Sequence, residues 1–244
     1  MNKCVCFFLI LLLFAVSFSA GCVSTASDKA TSTPVSTLTN TPTSVQTQTA
    51  APTESIDIAK EQAVKSAISY LKYSSFSYEG LIDQLEYEKF THEQAVYGAD
   101  NCGANWFEQA VKSAKSYLKS SSFSYEGLID QLEYEEFTHA QAVYGADNCG
   151  ADWFEQAVKS AKSYLKSSSF SYEGLIDQLE YEEFTHAQAV YGADNCGADW
   201  FEQADKSAAS YLKYSSFSYE GLIEQLEYEK FTHEQAVYGA QQNF

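Results

Sequence analysis

The chain has 244 residues, no arginine, 33 acidic against 15 basic groups and a formal net charge of −18. A charge balance of that sign repels a phosphate backbone and excludes nucleic acid as the expected partner, because duplex binding needs clustered Lys and Arg. Apolar residues make up 45% and aromatic residues 15%, too much for a chain disordered throughout.

Lys3 is followed by an apolar run from Cys4 to Val16, 13 residues long. A membrane span needs roughly 20, so the run fits the core of an export signal over residues 1–21. Ser19-Ala20-Gly21-Cys22 resembles the lipobox of bacterial lipoproteins, with Ser19 where leucine is usual. The resemblance implies that Cys22 becomes the first mature residue and carries diacylglycerol in the bilayer. It also implies a cell membrane location, on the extracytoplasmic face, in a Gram-positive bacterium or its prophage. Residues 22–56 follow. They are rich in Ser, Thr, Ala, Val and Gln and hold all three prolines, Pro34, Pro42 and Pro52. Such a composition buries too little apolar surface to offset its ordering entropy and predicts a disordered linker.

Beyond it the tetrad Tyr-Glu-Gly-Leu recurs, with glycines at Gly80, Gly127, Gly174 and Gly221, each step being 47 residues. Residues 108–154 and 155–201 are identical. The period divides the chain into repeats at 57–107, 108–154, 155–201 and 202–244, the last one truncated as a cap. Each copy reads as three helices, with no period-2 alternation to suggest a strand. In the third copy, Asp152 and Glu155 form the pattern of a capping box. Ala157, Val158, Ala161, Tyr164 and Leu165 then give a helical apolar face. Ser171 caps a second helix with a Leu175, Ile176, Leu179 stripe. Thr185 and Gln188 repeat the capping device ahead of Ala189, Val190 and Ala193. Gly197 suits a left-handed helix stop. Trp106, Trp153 and Trp200 open the following helix and are expected to bury against the preceding copy. The fold class is thus all-α, built of tandem three-helix repeats.

Chemistry of an enzymatic kind is not suggested. Cys102, Cys149 and Cys196 recur singly, without the paired cysteines or clustered histidines of a metal site, and read as small buried residues beside a helix stop. His92, His139, His186 and His233 fall in the first turn after a Thr N-cap. Glu93 and Glu234 stand beside the first and last of them, but Ala140 and Ala187 occupy those places in the middle copies. No catalytic residue, cofactor or metal is therefore expected, and the histidines read as exposed helix-start residues. On the second helix, by contrast, carboxylates fall at i, i+4 and i+7, on the side opposite the leucines. They are Glu79, Asp83 and Glu86; Glu126, Asp130 and Glu133; Glu173, Asp177 and Glu180; and Glu220, Glu224 and Glu227. Tyr87, Tyr134, Tyr181 and Tyr228 border them. A weak site presented four times gains strength by multivalency, and a tyrosine beside carboxylates suits a basic or amphipathic protein segment.

Ser-Tyr-Leu-Lys, then Phe-Ser-x-Glu-Gly-Leu-Ile-x-Gln-Leu-Glu-Tyr-Glu, then Phe-Thr-x-x-Gln-Ala, then Asp-Asn-Cys-Gly-Ala-x-Trp closely resembles the Ltp family of host cell surface-exposed lipoproteins. This family includes prophage-encoded superinfection-exclusion proteins. The resemblance covers residues from about 59 to 244 and implies compact repeats like helix-turn-helix elements. It also implies a block on injection of phage DNA, by engagement of a phage tail or tape-measure protein at the outer face of the membrane. The alternative is a surface adhesin or wall-associated structural repeat protein.

Overall fold

The computed structural model describes residues 52–244, with side chains from Ile58 onward. The export signal, Cys22 and the linker up to residue 51 lie outside the described residues. Twelve helices and no strand are found among the described residues. The first copy contains α1 (Pro52–Tyr73), α2 (Tyr78–Tyr87) and α3 (His92–Asn101). The second contains α4 (Trp106–Ser120), α5 (Tyr125–Tyr134) and α6 (His139–Asn148). The third contains α7 (Trp153–Ser167), α8 (Tyr172–Tyr181) and α9 (His186–Asn195). The fourth contains α10 (Trp200–Tyr214), α11 (Tyr219–Tyr228) and α12 (His233–Asn243). The period fixes the length of a unit but not its phase; the N-caps Asn105, Asp152 and Asp199 set where each later unit begins.

Residues 52–56, read as the end of a disordered linker, form the first turn of α1. Proline composition suggested an unordered chain, but Pro52 stands at the first helical position, where its missing N–H costs nothing.

Local chemistry explains each helix. Ser77, Ser124, Ser171 and Ser218 cap the second helices, each accepting through Oγ from the glycine N–H three residues on. Thr91, Thr138, Thr185 and Thr232 build complete capping boxes with Gln94, Gln141, Gln188 and Gln235. The expected box at Asp152 is one-sided. Asp152 accepts from the N–H groups of Phe154 and Glu155 at 3.0 and 3.2 Å, but Glu155 does not return a bond. The second helices end in a way the sequence hides. Phe137 N–H reaches Leu132 C=O and Glu136 N–H reaches Glu133 C=O, the bond pattern of a Schellman motif. The left-handed residue is not glycine but Lys89, Glu136, Glu183 or Lys230, with φ between 64 and 74°. Gly103, Gly150 and Gly197 take the same conformation after the third helices, as expected.

Within a copy the first and third helices pack most extensively, and the second lies mainly on the third. Leu128 and Leu132, with their counterparts in every copy, are completely buried. The closest approach of the backbones is at a glycine of the third helix. A Cβ on Gly145 would stand 3.0 Å from the Ala110 carbonyl oxygen, and one on Gly239 only 2.6 Å from that of Ala204. The first and second helices are tied by a hydroxyl: Tyr117 donates to Glu135 at 2.7 Å and accepts from Gln131 at 3.3 Å. Tyr70–Glu88, Tyr164–Glu182 and Tyr211–Glu229 repeat the tie.

Two outcomes follow from this packing. In a helix interior Gly→Ala ordinarily stabilises by up to about 1 kcal/mol; at Gly239 the Ala204 carbonyl reverses the sign. Gly239→Ala should destabilise the chain by about 1–3 kcal/mol in urea denaturation, and unchanged or raised stability would contradict the packing. The second outcome concerns alkali. Burial first, and then the Glu135 and Glu182 carboxylates, push the Tyr117 and Tyr164 hydroxyls well above the ordinary tyrosine value; Tyr70 and Tyr211 shift the same way. Raised values mean stability that is complete below about pH 10 and declines as pH rises above it, where only the unfolded chain ionises. Circular-dichroism melts from pH 7 to strong alkali should show that decline, and Tyr→Phe at the four positions should flatten it.

Candidate functional site

The acidic stripe is carried by α2, α5, α8 and α11, whose other side holds the buried leucines. Glu79 and Asp83, and the equivalent residues of the other copies, are exposed. The bordering tyrosines stand well out in solvent, Tyr87 at 78% and Tyr228 at 83% exposure.

Each stripe is partly engaged from within. His92 Nδ1 donates to Glu86 at 2.7 Å, and His139–Glu133, His186–Glu180 and His233–Glu227 repeat the bond at the same distance. The histidines are therefore not simply free helix-start residues. Their partner is the third carboxylate of the stripe, six residues earlier, not the adjacent glutamate weighed from sequence. Glu93 instead takes Lys60 at 2.7 Å, which holds its carboxyl below the usual range.

Copies meet end to end at their second helices. Ser171, N-cap of α8, donates from Oγ to the carbonyl of Glu229, the C-cap of α11, at 2.6 Å. At the other junctions the position of a Cβ on Gly80 or Gly127 lies 3.9 or 3.8 Å from the carbonyl of Glu135 or Glu182. Ser77, Ser124 and Ser171 are accordingly buried, whereas Ser218, which no other copy covers in the structure, is exposed. The negative end of one helix dipole thus faces the positive end of the next, and each stripe continues towards its neighbour. Lys230, at the end of α11, bridges to Asp177 on α8, and this bond raises the lysine's pKa. In the second and third copies that position is Glu136 or Glu183, so the first two junctions keep their acidity.

The tryptophans join the copies, though only half-buried. Trp106, Trp153 and Trp200 stack edge-on against Tyr78, Tyr125 and Tyr172 of the preceding copy, with centroids 5.4 Å apart. Phe244 covers Tyr219 in the same manner at 5.6 Å. The cysteine thiols donate to the carbonyls of Ala99, Ala146 and Ala193 at 3.1 Å. Among the described residues no group of three metal-ligating side chains could hold an ion, and no helix is long and apolar enough to cross a membrane.

The profile of one protein family, described as host cell surface-exposed lipoprotein, matches the chain four times, over residues 59–102, 105–149, 152–196 and 199–242. No curated protein and no solved structure matches.

The junction chemistry makes one substitution informative. Glu183→Lys places a cation where Lys230 stands in the next copy, opposite Asp130. It should raise the melting temperature by about 1–3 °C at low salt, and molar salt should erase the gain. A fall at low salt would mean that the junctions are not equivalent.

Proposed function

The chain belongs to the family of host cell surface-exposed lipoproteins, and on that premise we propose that it acts in superinfection exclusion at the outer face of the membrane, anchored through Cys22. The acidic repeats engage a basic segment of an incoming phage protein, of tape-measure type, and phage DNA does not enter. The observation that carries this reading is the end-to-end contact of the second helices, which turns four short stripes into one interrupted acidic track. Glu79, Asp83, Glu126, Asp130, Glu173, Glu220 and Glu224 make no side-chain bond among the described residues and are the groups offered to a cation. Each contact is weak alone, as exposed ion pairs are, but a partner extended along the track gains through effective concentration.

The test is expression in a phage-sensitive host. Adsorption should continue while DNA entry fails. Lysine at Asp83, Asp130, Glu173 and Glu220 together should restore entry with the protein still at the surface. Normal DNA entry across a broad phage panel, with surface display verified, would sink the reading. Attachment to wall or matrix polymer that ignores the charge reversal would support the adhesin alternative.

A further inference from the structure

The lysines of this acidic chain are not spread evenly. Between the first helices of adjacent copies lies a groove, and they collect there. At the second junction it is lined by Lys115 and Lys119 at the end of α4, and by Asp152, Glu155, Gln156 and Lys159 at the start of α7, with a volume of about 340 Å³. At the first junction Lys72 and Lys112 face Glu108 and Gln109 in a groove of about 450 Å³. Three lysines against two carboxylates, and two against one, leave each groove with one net positive charge. Asp152 is moreover committed to two N–H groups of its own helix. The repeat supplies Lys162, Lys166, Lys206 and Gln203 at the third junction.

A second observation concerns the groove wall. Gln109, Gln156 and Gln203 are only 5, 5 and 4% exposed, and the Oε1 of each is buried without a hydrogen-bond partner. Gln62, the counterpart in the first copy with no copy before it, is exposed. The junction itself therefore creates these orphaned acceptors. A buried acceptor left unmatched is destabilising, and three of them at one repeated place ask for a donor.

We infer that the junction grooves bind a hydroxylated phosphodiester, a polyol phosphate, whose phosphate is held by the lysines and whose hydroxyl donates to the glutamine once its amide turns into the groove. Lysine ammonium groups act as point charges suited to phosphate, and an acceptor without a donor asks for a hydroxyl, which a polyol phosphate carries and a run of carboxylate side chains does not. That difference favours a phosphate ligand over an acidic peptide. Repetition of the groove favours a ligand that repeats too. The overall negative charge does not forbid it, because screening confines distant charges to within about 8 Å at physiological salt. The site lies between first helices and does not depend on what the acidic track binds.

The test is a saturation-transfer NMR titration of the full chain in mild detergent. The probes are poly(glycerol phosphate), glycerol phosphate, inorganic phosphate and polyglutamate. Micelles doped with phosphatidylglycerol or phosphatidylcholine complete the set. Poly(glycerol phosphate) should bind more tightly than its monomer, and the monomer more tightly than inorganic phosphate. Glutamine at Lys115, Lys119, Lys162 and Lys166 should weaken binding at least about tenfold. Methionine at Gln109, Gln156 and Gln203 should abolish the preference for glycerol phosphate over phosphate while keeping or raising the melting temperature. Binding to the phosphatidylglycerol micelle alone would identify a lipid headgroup as the source; binding to the free polymer would identify a wall or secreted polymer. Either result supports the inference. Equal or tighter binding of polyglutamate, no binding of any phosphodiester, or methionine variants that gain stability and bind unchanged would each overturn it.

Discussion

A helix of ten residues does not hold itself together in water, since nucleation is costly and chains shorter than about 12–15 residues are marginal. Eight of the twelve helices among the described residues are of that length or one residue longer. Everything else in the structure answers this constraint. Each of these helices carries a side-chain N-cap, and the second helices are closed at the other end by a Schellman motif even where no glycine is available. The leucines are sealed against the first and third helices. The helix ends are then satisfied a second time by the neighbouring copy, as Ser171 is by Glu229. A unit of this size is marginal in isolation, and the junction supplies what the unit lacks.

The same constraint decides what could be read in advance. Capping residues sit within three positions of the bonds they make, so Thr185 with Gln188, and Ser171, announce their helices in the sequence. The leucine stripe and the 47-residue period are equally local or periodic signals. What stayed hidden acts at a distance or against residue preference. Lys230 and Asp177 are 53 residues apart, and Ser171 and Glu229 are 58 apart; no pattern joins them. Lys89, Glu136, Glu183 and Lys230 take a left-handed conformation that their side chains disfavour. The histidines read as exposed helix-start residues, because no sequence neighbour pairs with them in every copy, whereas the chain reversal at Lys89 brings Glu86 back to His92. Pro52 belongs to the linker by composition and opens α1 by position.

Charge is sorted by element in this molecule. The second helices carry the acidic track, with histidines and one lysine tempering it. The first helices carry most of the lysines, gathered where two copies meet. A net charge of −18 conceals this separation, since it averages two surfaces of opposite character. The acidic residues were legible from helical spacing alone. The grooves were not, because each is assembled from halves of two copies, and the burial of Gln156 exists only once the neighbour is in place.

The thinness of the junctions has a mechanical side. Neighbouring copies touch through an aromatic pair, the meeting of two helix ends and the contact that buries one glutamine of the following first helix, while each keeps its own apolar cluster. Pulled at its two ends, such a chain would not yield all at once. It would part at a junction and then surrender one copy at a time, each releasing on the order of 150 Å of extended polypeptide. Separate apolar clusters thus make the extension of such an array under load a stepwise one, graded by the copy.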